Sequence, residues 1–207
     1  MLEHLRSRWT KVMSPIAHAL LKAHVTPDMV TWAGTIGVVA ISLICFPNGW
    51  LWQGVLLLLV FIFSDSLDGI MARTSGRSSD WGAFLDSTLD RIADGAVMGG
   101  LALYFVGAGN NVWWAGLALV TLVLGQVTSY TKARGESLGY EVNGGLAGRA
   151  DRLLLSLLGA MLTGVGIDWG LPACLVILAI AGIVTVAQRM MLVRRATAQA
   201  QAEEFRE

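Results

Sequence analysis

The stretch from Asp65 to Asp90 reads DSLDGIMARTSGRSSDWGAFLDSTLD, and it gathers Asp65, Asp68, Asp86 and Asp90 in a chain otherwise poor in charge. The first pair is three residues apart and the second four, so on helices each pair shares one face. Counted from Arg77 in the polar link between them, Asp68 and Asp86 each lie nine residues away, and Asp65 and Asp90 twelve and thirteen. Two antiparallel helices joined at that link bring all four carboxylates to nearly the same two levels. Such a cluster cannot stay ionised in an apolar setting without a cation. An oxygen-only donor set favours a hard divalent ion, magnesium or manganese rather than zinc.

The surroundings of this stretch are apolar. Of 207 residues, 55% are hydrophobic and only 14% charged, against about 25% charged in a soluble domain. Mean hydropathy is +0.60. This is the composition of an integral membrane protein, and the formal net charge of zero gives no reason to expect a nucleic-acid partner. Cys45 and Cys174 both lie in apolar runs and read as small packing residues rather than a disulfide or metal ligands. His4, His18 and His24 show no ligand spacing. No cleavable leader is apparent.

Six apolar segments are expected to be spanning helices: Val30–Phe46, Leu51–Met71, Trp81–Val106, Val112–Thr131, Leu153–Gly166 and Leu171–Val193. A span takes about 20 residues, so the fifth is short unless it begins in the polar stretch before Leu153. Ahead of them, residues 1–25 form a juxtamembrane segment. In it Arg6, Arg8 and Lys11 interleave with Leu2, Leu5, Trp9, Val12, Met13, Ile16, Leu20 and Leu21, as in an amphipathic helix on the membrane surface. Residues 26–195 make up the bundle and 196–207 a polar tail, so the fold class is all-α and the chain a single domain. The links Pro47–Trp50, Gly107–Asn111 and Val165–Gly170 contain no Lys or Arg. The basic residues collect instead in the termini and the alternate links, which places those in the cytoplasm at the cell membrane. Trp50, Trp52, Trp113, Trp114 and Trp169 mark the opposite face.

Ionisable residues within spans are costly and usually functional. Gly69, one residue after Asp68, and Gly82 on the facing helix leave room for a bulky ligand. Arg73 offers a bidentate contact to phosphate. Metal ions held between carboxylates and a diphosphate stabilise a leaving group, and one carboxylate is left to take a proton from a hydroxyl.

The spacing D-x2-D-G-x2-A-R-x8-G-x3-D-x3-D resembles the signature of the CDP-alcohol phosphotransferase family, with every fixed position matched. Six spans with cytoplasmic termini are similar to the family fold, so the resemblance covers essentially the whole chain. It implies transfer of a phosphoalcohol unit from a CDP-linked donor to a hydroxyl acceptor, with release of CMP and dependence on Mg2+ or Mn2+, two ions together. By position, it implies a metal shell of Asp65, Asp68, Asp86 and Asp90, with Asp90 also the proton acceptor. Gly69, Arg73 and Ser79, together with Asp28, Met29, Val30 and Thr31, would contact CDP-diacylglycerol. The stretch from Lys132 to Arg152 resembles the actinobacterial branch that makes phosphatidylinositol phosphate from CDP-diacylglycerol and inositol phosphate. Lys132, Arg134, Arg149, Arg152, Arg194 and Arg195 form a basic set suited to a phosphorylated acceptor. Glycerol phosphate, giving phosphatidylglycerophosphate, suits the same set. A homodimer is implied by the family alone.

Competing readings exist for each feature. The basic residues also serve as topology determinants that touch anionic lipid headgroups. Asp94 extends the Asp86–Asp90 face by one turn and pairs either with Arg91 or with another helix. Asp80 belongs to the link or to a helix start. Gly95, Gly99 and Gly100 form a close-packing face, within one subunit or between two. A small ion or proton-coupled transporter is the non-enzymatic alternative. It sits poorly with aspartates gathered near one surface beside a phosphate-binding arginine, and with the lack of an internal repeat.

Overall fold

The computed structural model describes residues 13–75 and 79–204. Among these every regular element is helical: α1 (13–22), α2 (Pro27–Cys45), α3 (Leu51–Ser75), α4 (Asp80–Val106), α5 (Val112–Ser137), α6 (Arg149–Gly164) and α7 (Gly170–Glu204).

Local chemistry sets the helix starts. Thr26 caps α2 by accepting the Met29 N–H, with Pro27 in the first turn, where a missing N–H costs nothing. The Ser79 hydroxyl accepts from the Gly82 N–H and begins α4, which makes Asp80 a first-turn residue that complements the helix dipole. Asn111 caps α5 through the N–H groups of Trp113 and Trp114. Helix α6 begins at Arg149, four residues ahead of the apolar run that starts at Leu153. Its first turn is held by Asp151, whose carboxylate accepts from the Gly148 N–H at 2.8 Å.

The most extensive helix pairings are those of α2 with α3 and with α4. Helices α5, α6 and α7 form a second group through α5–α7 and α6–α7, and α4–α5 and α3–α6 join the two groups. One apolar cluster runs through the bundle: Phe46, Leu51, Leu58, Val97, Leu101, Phe105, Ala118, Leu157, Ala160, Leu171, Leu175 and Leu178. Both cysteines are buried and free. The outward faces are also apolar, with Ile36, Val60, Val123, Ile177, Ile180 and Ile183 exposed, a surface that suits lipid rather than water.

Among the described residues, three helices are long and apolar enough to cross a membrane: Pro27–Cys45, Val112–Ser137 and the α7 stretch Gly170–Ala202. The other expected spans are the ones that carry charge. The apolar run of α3 ends at Phe63 in the sequence, two residues before Asp65. Helix α4 contains Asp86, Asp90, Arg91 and Asp94, and α6 has only 16 residues, with Arg149, Asp151 and Arg152 in its first turn.

The juxtamembrane segment is described from residue 13. Its face of Met13, Ala17, Leu20 and Leu21 packs on Leu67, Ile70 and Met71 of α3, so this part of it leans on the bundle. Residues 1–12, with Arg6, Arg8 and Lys11, lie outside the described residues. Within one chain Gly95, Gly99 and Gly100 do not share a packing role. Gly100 lies against the Ser42 carbonyl of α2, and a side chain there would collide with that backbone. Gly95 and Gly99 have no neighbour within 4 Å.

Candidate active site

The charged residues in the first turns of α6 meet those of α4 across the bundle. Asp90 and Asp94 stand one turn apart on α4, both half-buried. From α6, Arg149 donates Nη2 to Asp90 Oδ1 at 2.7 Å, and its Nε lies 3.4 Å from Asp94 Oδ1. Arg152, one turn further along α6 and only 7% exposed, reaches Asp94 Oδ2 with Nη2 at 3.5 Å. Arg91 approaches Asp90 and Asp94 at 3.8 and 3.9 Å. Asp94 thus pairs both within its own helix and with another. Buried guanidinium groups need such partners, since an unpaired charge out of water is strongly destabilising.

Beneath these charges a cavity of about 340 Å³ descends between α2, α3, α4 and α6. Asp90, Asp94 and Arg149 lie at its polar end, and Val30, Gly34, Val38, Leu58, Phe61 and Val97 line the rest. Polar groups at one end and aliphatic walls at the other suit an amphiphile.

Of the residues expected to contact a nucleotide, Val30 and Thr31 line this cavity. Asp28 accepts from the Trp81 indole N–H at 3.2 Å, which ties the start of α2 to that of α4. Met29 is exposed. Ser79 is used in its capping bond. A Cβ built at Gly69 would lie 3.6 Å from the Arg73 guanidinium, in ordinary contact with it, so the glycine sits directly beside that cation.

Asp86 is exposed one turn before Asp90. Asp65 and Asp68 lie on α3, but their side chains are outside the described residues. Among the described residues no three acidic, histidine or cysteine side chains are grouped closely enough to hold a metal ion. The donor chemistry fits a hard divalent cation: Asp86 and Asp90 are carboxylates one turn apart on α4, and Asp90 lies at the polar end of the cavity.

The basic set divides. Arg149 and Arg152 sit on the α4 carboxylates. Lys132 pairs with Glu136 on its own helix at 3.6 Å, and Arg134 contacts Ser137. Arg194 is exposed, and Arg195 lines a second groove with Gly144, Gly145, Leu146 and Gln188.

Two residues without a role in the sequence reading fasten the α5–α6 link to α7. The buried Thr185 hydroxyl accepts the N–H groups of Leu146 at 3.0 Å and Ala147 at 3.2 Å. Arg189, one turn on, donates Nε to the Gly144 carbonyl at 3.0 Å and Nη1 to the Thr128 carbonyl. The link is therefore pinned just before Gly148 and Arg149. No local signal marks either residue in the sequence, because their partners lie roughly 40 to 60 positions away.

Comparison with known proteins agrees with this arrangement. Residues 24–188 match the family model described as CDP-alcohol phosphatidyltransferase. The phosphatidylinositol phosphate synthase of Cutibacterium acnes is 59% identical over 204 residues, covering 95% of this chain and 99% of that protein. The enzyme of the same name from Streptomyces avermitilis is 46% identical, covering 97% and 85%. The crystal structure of Mycobacterium tuberculosis phosphatidylinositol phosphate synthase with CDP-DAG bound superposes with a TM-score of 0.85 at 38% identity, covering 88% of this chain and 94% of that one. The same enzyme in complex with manganese and citrate gives 0.82 at 39% identity, covering 87% and 88%. The chain belongs to the CDP-alcohol phosphatidyltransferase family.

Proposed function

We propose that this enzyme transfers the phosphatidyl group of CDP-diacylglycerol to a hydroxyl of inositol phosphate, giving phosphatidylinositol phosphate and CMP. The observation that carries the reading is the 2.7 Å contact of Arg149 with Asp90. It sets a cation able to hold a phosphorylated acceptor beside the carboxylate assigned to its hydroxyl proton. The names of the relatives support the choice of acceptor, and the CDP-DAG bound to the mycobacterial enzyme supports the donor.

In this reading the lipid part of the donor lies in the aliphatic cavity under Asp90. Val30, Thr31, Gly69 and Arg73 face its diphosphate, and Asp28, Met29 and Ser79 complete that contact. Arg149 and Arg152, with Lys132, Arg134, Arg194 and Arg195 nearer the cytoplasm, draw in the anionic acceptor. Asp90 takes the proton as the acceptor oxygen bonds to the diacylglycerol-bearing phosphorus, and the bond from that phosphorus to the CMP oxygen breaks. Asp65, Asp68, Asp86 and Asp90 would hold Mg2+ or Mn2+, two ions, whose chemistry is neutralisation of the leaving phosphate. The manganese of the mycobacterial structure supports that class of ion.

The single domain is read as six spans with a surface helix before them. Its termini and site face the cytoplasm of the cell membrane, and it works as a homodimer. The charge asymmetry of the links supports that topology.

Purified protein incubated with CDP-diacylglycerol and Mg2+ is expected to release CMP with inositol phosphate. Release with glycerol phosphate, serine or free inositol instead would replace the acceptor. No release with any of them would end the transferase reading.

A further inference from the structure

Asp94 lies outside the aspartate signature, yet it is the carboxylate on which the two arginines of α6 converge. Its oxygens are divided between them: Oδ1 lies 3.4 Å from Arg149 Nε, and Oδ2 lies 3.5 Å from Arg152 Nη2. Arg149 and Arg152 are three apart on α6 and so share a face, and one carboxylate fixes the separation of their guanidinium groups. Asp94 also stands in the partition between two hollows. It lines the large cavity together with Asp90 and Arg149, and the small crevice together with Arg152, Gly125 and Gln126.

The wall behind Arg152 is cut to fit. A Cβ at Gly125 of α5 would come within 3.1 Å of Arg152 Nε, so glycine leaves the guanidinium the place from which it reaches Asp94. Gln126, the next residue on α5, donates to the Arg91 carbonyl at 3.2 Å and holds α5 against this turn of α4. The Ser156 hydroxyl bonds to the carbonyl of Arg152 itself. The Arg152 side chain thus lies against α5 at Gly125 and is paired with Asp94.

We infer that Asp94 is a positioning residue for the acceptor: it presets the spacing and orientation of Arg149 and Arg152, so that both forks meet one phosphate monoester. This rests on the acceptor role of the two arginines stated above. Asp94 acts on the acceptor through these two arginines. Two forks arranged in advance bind a tetrahedral dianion without ordering two long side chains on arrival. Free alcohols gain nothing from the arrangement, and the chemical class it serves is the phosphorylated polyol.

The test uses full-length enzyme in lipid nanodiscs, with CDP-diacylglycerol and whichever phosphorylated acceptor the wild type turns over. A wrong choice of alcohol therefore overturns the acceptor named above and not this assignment. Asp94→Asn is expected to raise the acceptor KM by about tenfold, as loss of charge-assisted bonds does. The donor KM should not move, and Asp94→Glu should recover part of the loss. Gly125→Ala displaces Arg152 without touching any carboxylate, and is expected to raise the same KM. Combining Asp94→Asn with Arg152→Ala should cost less than the sum of the two single changes, because the contact between them is lost in both, while the Arg149 contact is lost only with Asp94. Manganese affinity, read by electron paramagnetic resonance, should be the same in Asp94→Asn as in wild type. An unchanged acceptor KM in Asp94→Asn and Gly125→Ala would overturn the assignment, as would a drop in manganese affinity, which would make Asp94 a metal ligand.

Discussion

The two groups of helices in this bundle carry their chemistry differently. In α2, α3 and α4 the working residues sit close in sequence, at helical spacings on two elements joined by a short link. In α5, α6 and α7 they are brought together from afar: Arg149 to Asp90, Arg152 to Asp94, and Thr185 and Arg189 to the link before α6. The first arrangement survives as a motif, since periodicity alone aligns its side chains. The second exists only once the helices have packed, and each of its members depends on the others.

The largest effect expected from breaking this contrast is at Asp90. Asp90→Asn should cut CMP release about a thousandfold, in the range for loss of a general base. A rate within a few-fold of wild type would move the chemistry off the first group. Next comes Arg152→Ala, which strips a partner from Asp94 in a buried position. It should cost about 3 kcal/mol of stability, as broken buried pairs do, and be visible as a lower melting temperature alongside a raised acceptor KM. A stability loss without the kinetic one would make Arg152 a strut only.

Thr185→Val keeps the shape of the side chain but takes the acceptor from the N–H of Leu146 and from the buried N–H of Ala147. Its cost should be about 2 kcal/mol, with faster hydrogen exchange at Leu146 and Ala147, and Thr185→Ser should restore both. Unchanged exchange would show that the link is fixed by something other than α7. The smallest effect is expected at Lys132, paired only with Glu136 one turn along α5 among the described contacts. Lys132→Ala should change stability by less than about 0.5 kcal/mol. Its acceptor KM then decides whether this lysine shares in phosphate capture or only in setting topology.

How much of this was legible in the sequence follows from the same contrast. The signature from Asp65 to Asp90 identified the family, and the caps at Thr26, Ser79 and Asn111 are local chemistry that a sequence displays. Asp94 was visible as one more turn of the Asp86–Asp90 face, but its bonds to α6 were not, because nothing nearby in sequence announces a partner 55 to 58 residues away. The start of α6 was obscured because Arg149, Asp151 and Arg152 look like a loop until their partners are in place. The glycines at 95, 99 and 100 looked like one face. Successive residues of a helix are turned by about 100°, and the packing uses Gly100 while leaving the other two open.

One dimension of α7 carries further than its role in the core. At about 1.5 Å per residue its 35 residues rise roughly 52 Å, well beyond a hydrocarbon layer of about 30 Å. The far turns of the rod therefore stand clear of lipid, in water. Thr185 and Arg189 lie about 22 to 28 Å along that rod, so the strap that delivers Arg149 is held near the level at which the rod leaves the lipid.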